Sequence, residues 1–261
     1  MRTLLTLSLT AALAAPAAAA VRTKEVTYEY DGTKLKGLLV WDDSATGKRP
    51  GVLVFHEWWG LDDYAKKRAE QLAGMGYVAF AADMYGEGKV TEHPQDAGKM
   101  ANAVRANKQT WQGRARAAYD VLSKNENVDP ARIAAIGYCF GGSTALELAY
   151  SGADLKAVST FHAALPTPTP EEAKAIKAKV LVNHGADDKF IKPDAIKAFR
   201  EALDAAKVNY RFESYPGAVH SFTVPDADKR KIDGMAYNAE ADKKSWASTK
   251  ALFDEVFGAK K

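Results

Sequence analysis

An α/β fold, a mostly parallel twisted sheet with helices on both faces, is predicted by three features of this 261-residue sequence. Short apolar runs recur along it, continuous in their centres, as in strands buried on both faces. Between them lie stretches of helical period, so strand and helix alternate through most of the chain. The length suits one large core rather than two, and a single domain over residues 21–261 is expected.

Taken in order, the opening MRTLLTLSLTAALAAPAAAAV sets one positive charge, Arg2, before an apolar run of about twelve residues and an Ala-x-Ala stretch. This is the pattern of a secretory signal over residues 1–20, cut near Ala20, and it predicts a periplasmic or secreted protein. The run is too short to span a bilayer and no later stretch reaches ~18 apolar residues, so no membrane span is expected after cleavage. KEVTYEYDGTKLKGLLVWDD then alternates polar and apolar residues around Asp31-Gly32, the mark of an antiparallel hairpin.

Strands are predicted in GVLVFHEW (51–58), YVAFAADMY (77–85), IAAIGYCF (133–140), AVSTFHA (157–163), KVLVNHGADD (179–188) and YRFESYPG (210–217). Residues 62–75 place Leu61, Ala65, Ala69, Leu72 and Ala73 on one helical side, and 194–207 do the same with Ala195, Phe199, Ala202 and Leu203. Further helices are expected in the long polar stretch 94–124, in 142–151 and in 240–257. The prolines of TPTPEEAKAIK mark a loop entering a short helix.

Composition narrows the function. Lys and Arg number 36 against 33 Asp and Glu, so no basic surplus points to nucleic acid or an anionic membrane, and a small-molecule substrate is expected. The chain has one cysteine, which cannot form an internal disulfide. An oxidising compartment tends to pair or remove idle thiols, so a retained one calls for an explanation.

That cysteine, Cys139, lies in GYCFGG at the end of an apolar strand and the start of a helix, with Gly137 and Gly141 two residues to either side. The spacing is that of a nucleophile elbow with cysteine in place of serine. A turn so sharp strains the nucleophile's backbone and needs small neighbours, while the helix start directs free N–H groups toward a thiolate. The bland alternative is a thiol buried beside Tyr138 and Phe140.

Partners decide between these readings. A thiol nucleophile needs a base, and the base needs a group to hold its tautomer. Downstream, Asp187 and Asp188 end one strand and His220 follows the next, giving nucleophile, acid and base in chain order at the carboxyl ends of a parallel sheet. Singly, His220 reads as a solvated loop residue and Asp188 as a helix cap; together they read as a triad.

FHEWWGLDDY follows the strand that precedes the oxyanion loop in such folds, so a backbone N–H here and that of Phe140 are placed to face developing negative charge. Glu57 ends a buried strand, where desolvation raises a carboxyl pKa; it either serves the thiol or ties down a loop. His184 reads as a turn residue, His162 as a packing residue behind the site and His93 as a loop residue. HEWWG lacks a second histidine and no paired cysteines exist, so no metal is expected.

HEWWGLDDYAKKRAEQLAGMGYVAFAADMYGEG, IGYCFGG, HGADDKFI and YPGAVHSF together resemble the dienelactone hydrolase family of α/β-hydrolases. The resemblance spans nearly the whole chain from about residue 25. It implies a triad of Cys139, Asp188 and His220, with Asp188 chosen because the family's acid stands three residues after a glycine, here Gly185. It further implies that Glu57 interacts with the resting thiol and helps generate the thiolate, and that the N–H groups of Trp58 and Phe140 form the oxyanion hole. The arginines with which dienelactone hydrolases of chlorocatechol pathways clamp a substrate carboxylate are missing, since Glu87 and Val224 stand near those places, with Lys89 and Arg230 as candidate substitutes.

The expected function is thus a secreted, cysteine-dependent hydrolase of small carboxylic esters or lactones, acting through an acyl-thiol intermediate without cofactor or metal, as a monomer or small homo-oligomer. The alternatives are a low-turnover ligand-binding protein on a hydrolase scaffold, whose thiol would be inert to alkylation, and a redox-reactive thiol, which lacks a resolving cysteine.

Overall fold

The computed structural model describes residues 20–258, so the leader expected over residues 1–20 lies, except for Ala20, outside the described residues. Strands β1 (Val21–Tyr30) and β2 (Thr33–Asp42) form the hairpin, paired from Val21 with Asp42 to Tyr30 with Thr33. Its two-residue turn holds Asp31 at φ 48° and Gly32 at φ 70°, the left-handed pair that matches strand twist.

The remaining strands are β3 (Arg49–Phe55), β4 (Val78–Ala82), β5 (Val128–Tyr138), β6 (Ala157–Phe161), β7 (Lys179–Gly185) and β8 (Tyr210–Tyr215). One eight-stranded sheet results, in the order β1-β2-β4-β3-β5-β6-β7-β8. The hairpin joins β4 antiparallel through β2, and every other pairing from β4 to β8 is parallel.

Alternation along the strands builds two cores, because successive side chains leave opposite faces. On one face Val52, Val54, Ala134 and Ile136 meet α1 (Asp63–Gly74) and α7 (Ala239–Phe257) through Ala69, Leu72, Leu252 and Phe253. On the other, Leu53, Phe55, Phe80 and Ala135 meet α2 (Pro94–Arg105), α3 (Lys108–Ser123), α4 (Phe140–Tyr150) and α6 (Pro193–Ala205). A short α5 (Pro170–Ala175) follows the predicted proline loop and begins with a capping box between Thr169 and Glu172.

Two predicted elements differ in detail. The stretch 94–124 is two helices, broken where Asn107 leaves helical geometry (φ −126°) and its side chain caps the Thr110 N–H at 3.0 Å. The helix after the cysteine starts at Phe140 rather than 142. No helix among the described residues is long and apolar enough to cross a membrane.

Candidate active site

From β3 the chain moves to β4 on one side, and from β5 it continues to β6 on the other. The order therefore reverses between β3 and β5, and the crevice at their carboxyl ends is where open α/β sheets take ligands. Glu57 and Trp58 follow β3, Cys139 follows β5, Asp188 follows β7 and His220 follows β8, so all the predicted site residues reach this one edge.

Cys139 sits at φ 52° and ψ −114°, a strained conformation for a non-glycine residue, and is partly exposed. Its N–H donates to the Phe161 carbonyl (3.0 Å), and its carbonyl accepts the N–H of Gly142 (3.1 Å). The turn closes only with glycines beside it. A Cβ on Gly137 would stand 2.0 Å from the Gly141 oxygen, and one on Gly141 would stand 2.2 Å from the Phe55 oxygen.

His220 Nδ1 donates to Asp188 Oδ2 at 2.8 Å, while Asp188 Oδ1 accepts the Phe190 N–H at 2.9 Å. Asp188 is buried and bonded to His220, whereas the adjacent Asp187 is exposed. Burial works to lower the His220 pKa, but the facing Cys139 sulfur and the Asp188 carboxylate outweigh it and raise the value to about 10. The imidazolium of the folded state is thereby favoured over that of the unfolded chain. Its contribution to stability is complete below about pH 6.5 and is lost as pH rises toward about 10. In urea unfolding at pH 6 to 10, wild-type stability is expected to decline relative to a His220→Asn variant; parallel curves would refute the assignment.

Glu57 is buried, and burial raises its pKa. Its Oε1 accepts the Ser221 hydroxyl at 2.8 Å, and the charge of Arg230 also reaches it. Ser221 is the residue next to His220, so the carboxylate is anchored to the histidine loop. The N–H groups of Trp58 and of Phe140, the first residue of α4, have no hydrogen-bond partner among the described residues. Both remain available to an oxyanion.

Two residues that sequence reasoning passed over hold this loop. His56 bonds through Nδ1 to the Glu57 carbonyl and accepts the Met84 N–H at Nε2 (3.2 Å). Asp83, wholly buried, accepts the N–H groups of Lys36, Tyr85, Gly86 and Gly88 at 2.8–3.0 Å. The Tyr85 hydroxyl then donates to the Trp58 carbonyl at 2.9 Å. An aspartate closing a strand ahead of Gly86-x-Gly88 is a turn-organising signal visible in the sequence.

Three cations bear on the surroundings of the site. Lys89 is exposed, and Arg230 stacks 3.9 Å from the Trp59 ring centre while facing Asp62 at 3.6 Å. Arg105, at the end of α2, lies with its guanidinium 5.2 Å from the ring centre of Phe140, the residue after the nucleophile. Its charge also reaches Tyr85. His184 packs against Phe212, and His93 lies at the surface before α2. Among the described residues no group of three or more His, Cys, Asp or Glu side chains could hold a metal ion.

This sheet order, with a strained strand-turn-helix at its carboxyl edge, defines an α/β-hydrolase fold. The chain belongs to the dienelactone hydrolase family, whose model matches residues 35–257. A solved structure described as "m3DLH" is 43% identical, covers 91% of this chain and 99% of its own, and superposes with a TM-score of 0.89. A dienelactone hydrolase-like promiscuous phosphotriesterase from metagenomic libraries is 40% identical with a TM-score of 0.88, over 91% of this chain and 99% of that one. Protein usf of Aquifex pyrophilus is 29% identical over 88% of this chain and 97% of its own length.

Proposed function

We propose that the protein is a secreted, cysteine-dependent hydrolase of small carboxylic esters or lactones that works through an acyl-thiol intermediate. The observation that carries this reading is the His220 imidazole, hydrogen-bonded to buried Asp188 and facing Cys139 at the strained turn. Family membership supports the hydrolase class.

His220 takes the thiol proton, with the Glu57 carboxylate assisting thiolate formation. The sulfur attacks the carbonyl carbon, and the oxyanion is received by the free N–H groups of Phe140 and Trp58. Collapse of this intermediate expels the alkoxide, which takes the proton from His220. Water then attacks the thioester with His220 as base, releasing the acid and restoring the thiol. Asp188 holds the histidine tautomer throughout. No metal or cofactor takes part, and the secreted location rests on the leader pattern.

One measurement tests both features. The intact mass of the exported protein is expected to correspond to a chain starting near Val21, and a slowly deacylating aryl ester should add one acyl group at Cys139. An adduct elsewhere, or hydrolysis without any adduct on Cys139, would overturn the mechanism. The relative described as a promiscuous phosphotriesterase motivates a second substrate class, dialkyl aryl phosphates, in which the thiolate attacks phosphorus and expels the aryloxide. The corresponding phosphoryl mass on Cys139 would identify it.

A further inference from the structure

Behind the site lies a chain of polar groups that the proposed chemistry leaves unused. Asp242 Oδ1 accepts Arg68 Nη2 (2.5 Å), and Arg68 Nε donates to the Tyr64 hydroxyl (3.2 Å). That hydroxyl lies 2.7 Å from Thr223 Oγ1, which lies 2.9 Å from His162 Nε2. His162 Nδ1 then faces Glu57 Oε1 at 3.8 Å. Thr223, His162 and Glu57 are all buried.

The donors and acceptors favour one direction for this chain. Arginine only donates, so the Tyr64 oxygen receives its N–H and passes its own hydrogen onward. Two acceptors lie within reach of the Tyr64 hydroxyl, Thr223 Oγ1 at 2.7 Å and the Thr223 carbonyl at 3.1 Å, and the shorter contact is to Oγ1. With Tyr64 donating along the shorter contact, the Thr223 hydrogen is free to go to His162 Nε2, the assignment on which the proposal is built. A neutral imidazole that accepts at Nε2 carries its hydrogen on Nδ1. Burial, reinforced by the charges of His220 and Arg68, holds the His162 pKa well below its ordinary value and keeps the ring neutral.

The resulting Nδ1–H is buried without a hydrogen-bond partner, a costly state for a donor in a folded interior. His162 also adopts φ 40°, which few non-glycine residues do, with its own N–H fixed by the Asn183 carbonyl at 2.9 Å. The ring packs edge-on to His220 and Phe222 and turns Nδ1 toward Glu57 Oε1. The geometry points to His162 as a positioning residue: Thr223 locks it as the Nδ1–H tautomer, and that N–H faces Glu57 and favours its charged carboxylate form.

The inference rests on the proposed role of Glu57 in thiol activation. The other groups whose charge bears on Glu57 are His220 behind Ser221, Asp62 ahead of α1, Arg230, and the phenols of Tyr64 and Tyr138. His162 itself is faced by His220, Arg68 and Glu57. Of these, His162 and the Tyr138 phenol are neutral and carry a buried polar atom without a partner, and His162 Nδ1 is the one that faces the carboxylate at 3.8 Å.

Two readouts test the proposal. Long-range 1H–15N correlation spectra of the full mature protein should show His162 as the Nδ1–H tautomer at neutral pH. In the pH profile of kcat/KM for an aryl ester, His162→Phe should move the acid limb upward by about one pH unit, and Thr223→Val should move it in the same direction. His162→Asn should restore the limb, because its amide keeps an N–H near the Nδ1 position and tolerates a positive φ. Should His162→Phe fail to fold, Thr223→Val carries the test, since Tyr64 keeps the Thr223 carbonyl as an acceptor at 3.1 Å. A ring found as Nε2–H, or wild-type profiles in the folded variants, would overturn the proposal. The expected tautomer in a protein that hydrolyses no ester would instead defeat the hydrolase reading and, with it, the role assigned to Glu57.

Discussion

Replacing Cys139 by Ala is expected to lower kcat/KM for short aryl esters by at least about 10³-fold, since the remaining groups can bind and polarise the substrate but cannot form the acyl-thiol. Cys139→Ser should recover little of this. A hydroxyl resists deprotonation far more strongly than a thiol, and the raised His220 pKa shows an imidazole suited to facing a thiolate. The same position should show a cost of function in stability. At φ 52° and ψ −114° a side chain strains the backbone. Cys139→Gly, which carries no Cβ, is therefore expected to be inactive yet more stable by about 1–3 kcal/mol, less the entropy that glycine adds to the unfolded chain. Steady-state rates with urea midpoints check both statements. An active Ala variant would remove the thiol from the mechanism, and an unstable Gly variant would remove the strain argument.

Gly141→Ala is expected to cost about 3–5 kcal/mol and to lower Tm by about 10 °C. The new Cβ would meet the Phe55 oxygen at 2.2 Å and the His56 oxygen at 2.5 Å, both backbone atoms at the end of β3 with no freedom to rotate away. Either β3 or α4 must shift. Such a shift separates the loop bearing Glu57 and Trp58 from Cys139, so the surviving folded fraction should also lose activity. Gly74→Ala is the contrasting control, because nothing lies within 4 Å of the place its Cβ would take, and it should change stability by less than about 1 kcal/mol. Thermal unfolding of the two variants compares them, and equal Tm values would show that the close approach at Gly141 relaxes without cost.

Much of the frame was legible because it depends on neighbours in sequence. Alternation around Asp31-Gly32 marks the hairpin, and continuous apolar centres mark the parallel strands. The glycines around Cys139 announce a close-packed strand-to-helix turn. The break at Asn107 was not legible in hydrophobic period, because a side-chain cap interrupts a helix without changing its apolar spacing.

By itself, then, the sequence determined the alternating α/β architecture, the tight turn at Cys139 and the order of Cys139, Asp188 and His220 along the chain. Each is written in local spacing, which the backbone must obey wherever the segment lies. Tertiary structure alone decided what faces what. Beyond the expected triad it bonds Glu57 to Ser221, sets His162 between Thr223 and Glu57, and lays Arg105 over Phe140. These contacts join residues tens of positions apart, brought together because parallel strands gather their carboxyl ends at one edge. Beyond the order of Cys139, Asp188 and His220, no period or motif in the chain encodes which side chains meet there; packing across the sheet selects them.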